Sequence, residues 1–119
     1  MKQLACAIAL HPDGAPQRLA LAQDQTRPPM AEFDQKAAPF AARHLFTTLG
    51  LETRSAITIG TSTQVAPGYT VHFVLCRIAP PVRPQWKNPQ PDGTVITGHW
   101  VPFDALPDND ILRWIATNL

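Results

Sequence analysis

Between Leu4 and Leu10 the chain alternates Leu4, Cys6, Ile8 and Leu10 with Ala5, Ala7 and Ala9. A period of two marks a β-strand, and because both sets are apolar the strand has to be buried on both faces. The chain must therefore supply cover for two sides of a sheet within 119 residues. A chain of that length supports one domain, residues 1–119, and buries roughly two thirds of the surface its unfolded form exposes. With 45% hydrophobic and 16% charged residues, the composition is that of an ordinary globular protein, neither disordered nor membrane-embedded.

Charge narrows the partners. Ten Lys and Arg against nine Asp and Glu leave no positive excess, so a large nucleic-acid footprint or an anionic membrane surface is disfavoured. The opening MKQLACAIAL imitates a signal peptide, with Lys2 before an apolar run. That run is seven residues long and ends in His11-Pro12 without a small-residue cleavage region, so it reads as the first strand of a cytoplasmic protein. Cys6 and Cys76 fall in stretches that read as interior strands, where a thiol behaves as a small hydrophobe, and they form no disulfide framework.

After the first strand, HPDGAP carries turn chemistry and QRLALAQ reads as a second strand. Residues 24–39 read as irregular, because Pro28, Pro29 and Pro39 exclude a continuous helix. A helix is predicted from about Pro39, tolerated in a first turn, through Leu49 to a stop at Gly50. SAITIGTST and YTVHFVLCRI, rich in β-branched and aromatic residues, read as two strands joined through APG. Ala79–Gly93 holds five prolines and no periodicity, and is predicted to be a surface loop. TVITGHWV is a further strand. DNDILRWIATNL is a closing helix, capped by Asp108 or Asn109, with Ile111, Leu112, Trp114, Ile115 and Leu119 on its apolar side.

The order of these elements and the segment Pro29–Leu51 resemble the Nudix hydrolase family, whose box is G-x5-E-x7-R-E-U-x-E-E-x-G-U, with U a bulky aliphatic residue. Laid on the chain without a gap, the box puts its first glycine on Pro29 and its first glutamate on Gln35. Its arginine falls on Arg43, the next glutamate on His44, and the adjacent glutamate pair on Thr47 and Thr48. Arg43, Leu45, Gly50 and Leu51 are retained, whereas all four glutamates are replaced. The PDG turn between two strands and the segment HWVPFDALP before the last helix also match. The resemblance implies an α/β fold of the α+β kind, a mixed β-sheet sandwiched between helices in an α-β-α arrangement.

In the family the glutamates form a hard-oxygen site for Mg²⁺ or Mn²⁺ that assists hydrolysis of a diphosphate. Positions 44, 47 and 48 are three and four residues apart, so glutamates there would share a helix face. Here that face offers an imidazole and two hydroxyls, and no metal site is expected. Glu32, Asp34 and Glu52 lie near the box without aligning to it, and read as turn or solvated residues. The spacings of His11, His44, His72 and His99 match no zinc pattern. Arg43 is either solvated or paired with Asp34.

The resemblance and the losses together lead to a catalytically silent Nudix-like domain that binds a nucleotide-type ligand or a protein partner. Arg43 and His44 would be the anion contacts, and Trp86 and Lys87 would supply stacking and charge. Trp86 has a second reading as a loop anchor, and Trp100 reads as a core residue. One alternative is an interaction or adaptor subunit without a small ligand, with Trp86 as its exposed anchor; another is an active hydrolase of nucleoside diphosphate-linked substrates that uses a non-standard site and Mg or Mn. A homodimer is also expected from the family's architecture.

Overall fold

The computed structural model describes residues 1–119. Its strands are β1 (Lys2–Leu10), β2 (Arg18–Ala22), β3 (Met30–Glu32), β4 (Thr53–Ser62), β5 (Tyr69–Ile78), β6 (Gln85–Pro89) and β7 (Val95–Pro102). The helices are α1 (Ala37–Leu49) and α2 (Asp110–Asn118), with a short 3₁₀ turn at Phe103–Ala105. All seven strands form one sheet in the order β4-β5-β1-β2-β7-β6, with β3 paired to β1 beside β2. β1 and β5 are its one parallel pair, running in register from Lys2 opposite Tyr69 to Leu10 opposite Arg77. No helix is long and apolar enough to cross a membrane.

β1 is central, and its two faces serve two cores. The small residues Ala5, Ala7 and Ala9 meet α1 through Ala37, Ala41, Leu45 and Leu49. Alanines there let the helix axis approach the sheet closely. On the other face Cys6 and Ile8 pack with Leu19, Leu21, Phe73 and the α2 residues Ile111, Leu112 and Ile115. The double burial expected of this strand is thus satisfied by one helix on each side.

Two expectations need correction. Ala79–Gly93 is not wholly loop: Gln85–Pro89 forms β6, paired with β7 from Gln85 opposite His99 to Pro89 opposite Val95. It is an edge strand, where prolines at the ends interrupt no inner ladder. Residues 24–39 contain β3, whose Met30, Ala31 and Glu32 stand opposite Cys6, Ala5 and Leu4. The first helix begins at Ala37, placing Pro39 inside its first turn, where its missing N–H breaks no helical bond. The stop is where it was predicted, with Gly50 at φ 70° and its N–H bonded to Phe46 O. Of the two candidate caps for α2, Asn109 takes the role, its Oδ1 accepting from Leu112 N at 2.9 Å.

Cys6 and Cys76 are both free and buried, on opposite faces of the sheet. Desolvation raises both thiols, Cys76 to about 11 and Cys6 further still. Neither thiol is therefore expected to react with a disulfide reagent at pH 8 while the protein is native, and both should react after denaturation. Rapid labelling of either one in the folded protein would contradict this placement.

Candidate functional site

The box segment becomes α1 and the turn leading into it. Consecutive helical residues are separated by about 100°, so the retained arginine and the glutamate-substituting histidine look into different clefts. Arg43 is exposed beside Phe33, Asp34, Gln35, Lys36 and Phe40. It makes no ion pair, which settles its two readings in favour of solvation over pairing with Asp34. His44 instead borders a cleft of about 350 Å³ with Thr48, Leu49, Arg27, Met30 and Ile96. Thr47 lies on the Arg43 side, beside Phe46 and Glu52. The expectation that positions 44, 47 and 48 converge holds for 44 and 48, four residues apart, whereas 47 turns away.

His44 is half-buried and stacks on Phe40, with ring centroids 5.9 Å apart and planes 16° from parallel. Burial lowers its pKa below the ordinary imidazole value, opposed in part by a hydrogen bond to the backbone of Met30. It is accordingly a neutral imidazole at pH 7, a hydrogen-bonding group rather than a cation. Thr47 Oγ1 donates to Arg43 O at 3.0 Å and Thr48 Oγ1 to His44 O at 2.7 Å. Both hydroxyls are thus turned back onto their own helix.

This donor set does not fit a hard divalent cation. The His44 cleft has no carboxylate in its wall, and nowhere do three His, Cys, Asp or Glu side chains come close enough to share an ion. Glu32 is engaged with Lys2 at 3.5 Å. The four histidines are also dispersed. His11 meets the Trp100 ring edge-on at 4.8 Å, and His72 bonds Gln3 Oε1 and packs on Phe33.

The last turn of α1 is capped from β6. Trp86 Nε1 donates to Leu49 O at 2.7 Å, and Asn88 Nδ2 donates to Thr47 O at 3.1 Å and Thr48 O at 3.0 Å. These bonds satisfy carbonyls that a helix end leaves without partners. Trp86 is half-buried against Trp100 and Gly98. Its indole is therefore an anchor, as its second reading had it, and not the exposed aromatic of an interaction loop. Side chains alternate along a strand, so Lys87, exposed between Trp86 and Asn88, faces away from α1. Trp100 is buried, its Nε1 donating to Arg83 O at 2.9 Å. Arg43, His44, Trp86 and Lys87 are thus not gathered into one site. Arg27, on the wall of the His44 cleft, went unnoticed in the sequence because it lies in the segment read as irregular; the neighbouring Pro28-Pro29, which stiffens that wall, was its only signal.

No family model and no curated protein matches the chain. Among solved structures, one described as an ADP-ribose pyrophosphatase from Streptococcus suis superposes with a TM-score of 0.69 at 18% identity, covering 99% of this chain and 86% of that one. The fold is Nudix-like. In this Nudix-like frame the seven-stranded sheet and two helices agree with the α+β class expected of the sequence.

Proposed function

We propose that this protein is a catalytically silent Nudix-like domain whose His44 cleft binds a nucleotide-type ligand without a divalent metal. The observation that carries the reading is the chemistry of the glutamate positions on α1. His44 is neutral there, and the Thr47 and Thr48 hydroxyls are committed to helix carbonyls. Without carboxylates, the cleft loses its means of holding Mg²⁺ and also the repulsion a metal-free phosphate would meet. Arg27 supplies positive charge at its wall, the His44 imidazole supplies a hydrogen bond, and Met30, Leu49 and Ile96 supply apolar surface. The volume of about 350 Å³ lies at the small end of ligand sites, which suits one part of a nucleotide better than the whole.

The test combines turnover with binding. With Mg²⁺ or Mn²⁺, nucleoside triphosphates, ADP-ribose, dinucleoside polyphosphates and nucleotide sugars should release no phosphate above the level of an Arg43→Ala control. In calorimetry at least one of these compounds should bind saturably without metal, and His44→Ala together with Arg27→Ala should weaken it roughly tenfold or more, as expected for losing a charge-assisted contact. Metal-dependent release abolished by EDTA would establish the active-hydrolase alternative. Absence of saturable binding, with a protein recovered in a pull-down, would favour the adaptor alternative.

A further inference from the structure

A cleft of about 780 Å³ lies at the other end of the sheet from His44. The neighbouring strands β4, β5, β1 and β2 all bring their ends to it. Arg54 comes from the start of β4, Arg77 from the end of β5, His11 follows β1, and Arg18 opens β2. Register sets their faces: Arg77 stands in line with Leu10, Leu19 and Ser55 on one face, whereas Arg18 and His11, one residue along, belong to the other, so the cleft wraps around the strand ends. The His44 cleft instead borders Ala22, the final residue of β2. The two clefts therefore lie at opposite ends of the same strand.

Three guanidiniums share this cleft, and no Asp or Glu side chain lines it. Arg54 and Arg77 are exposed and make neither an ion pair nor a side-chain hydrogen bond within the protein. Arg18 is partly engaged, its Nη2 standing 3.9 Å from Asp13 Oδ2 and 3.3 Å from His11 Nδ1. Its Nε–H, however, is buried with no partner. A buried donor without an acceptor is costly, and like charges gathered around one cleft repel unless an anion joins them. The cleft also lies at the carboxyl ends of the one parallel strand pair, the side of a sheet on which α/β proteins place ligands. Leu75, two residues before Arg77 on the same face of β5, adds apolar wall. The volume exceeds what a bare phosphate fills and falls within the range of small-molecule sites.

We infer that this end of the sheet is a second binding site, separate from the His44 cleft, for the phosphate groups of a small organic phosphate. Arg54 and Arg77 grip the anion, and Arg18 turns its buried, unpartnered Nε–H outward to complete the contact. Guanidinium suits this task because its planar fork meets phosphate oxygens two at a time. The organic part of the ligand rests on Leu75, which shares the Arg77 face of β5.

The site is tested by calorimetry at low salt with pyrophosphate, ADP, inorganic phosphate and citrate as probes. Wild-type protein should bind pyrophosphate and ADP, and the double variant Arg54→Gln/Arg77→Gln should weaken both roughly 10- to 100-fold. Lys87→Gln, which removes an exposed charge that lines neither cleft, should leave pyrophosphate binding unchanged, so the loss follows this site and not the net charge. Tighter binding of ADP than of pyrophosphate supports the apolar contact with the organic part. Citrate equal to pyrophosphate would overturn the assignment to phosphate. Binding of none of the probes, binding equal in the double variant, or binding lost only in His44→Ala would overturn the site. A readout that needs no variant is the Arg18 Nε–H resonance of wild-type protein: it should move on addition of pyrophosphate, and an unmoved resonance at saturation excludes the role given to Arg18.

Discussion

Phe73→Ala is expected to cost about 3–5 kcal/mol, the range for removing a buried aromatic side chain. Phe73 is wholly buried on β5 and lies face to face with Trp114 of α2, centroids 3.7 Å apart and planes 6° from parallel. The Trp114 ring is in turn confined by Gly60 on β4, where an added Cβ would stand 2.8 Å from Trp114 Cζ2. Truncation at position 73 leaves a cavity bounded by a helix and two strands, and the rigid indole cannot collapse into it without moving α2. Phe46→Ala is the natural contrast, since Phe46 is 60% exposed and its loss should change stability by no more than about 0.5 kcal/mol. Urea unfolding of the two variants measures the difference. A cost below about 1 kcal/mol at Phe73 would mean that α2 is held mainly by other contacts.

How much of this architecture could be read from the chain follows from how local each signal is. β1 was legible because its two apolar faces lie within nine residues. The end of α1 was legible because Gly50 adopts a positive φ that other residues resist, and the α2 cap because Asn109 acts on a residue three positions away. β3 was missed because three residues are too few to show a period. β6 was missed because Pro84 and Pro89 bracket it, and only its place at the sheet edge makes them harmless. The parallel pairing of β1 with β5 joins residues nearly seventy positions apart and leaves no local trace.

The same distinction governs the sites. The substituted glutamate positions were legible as residue types, because a motif is a local pattern. Their division among separate clefts was not, since it depends on which element packs beside each turn of α1. Trp86 and Lys87 looked equivalent in a loop, yet strand alternation sends one to the helix end and the other to solvent. Arg18, Arg54 and Arg77 are scattered along the chain, and only the sheet order brings the strand ends that carry them to one cleft.

Gly98→Ala should destabilise the fold by about 2–3 kcal/mol, near the upper end for overpacking, and its effect should reach the His44 cleft. Trp86 stands directly opposite Gly98 in the β6–β7 pair and lays its indole across it. A Cβ at position 98 would be 2.4 Å from Trp86 Cε2 and Cζ2, inside any tolerable contact. The ring cannot slide away freely, because its Nε1 is bonded to Leu49 O and its other side meets Trp100. Moving it breaks the cap on α1 and strains the neighbouring bonds from Asn88 to Thr47 and Thr48. Thr48, Leu49 and the β7 residue Ile96 all border the His44 cleft, so a ligand held there should bind more weakly as stability falls. Trp86→Phe separates the causes: it keeps much of the ring and loses the Leu49 bond, for about 1 kcal/mol. Combined with Trp86→Ala, the glycine substitution should cost far less than it does alone, because the clash has been removed. Urea melts of the single and double variants give this coupling directly. Strict additivity, or a Gly98→Ala protein as stable as the parent, would show that the indole does not clamp the end of α1.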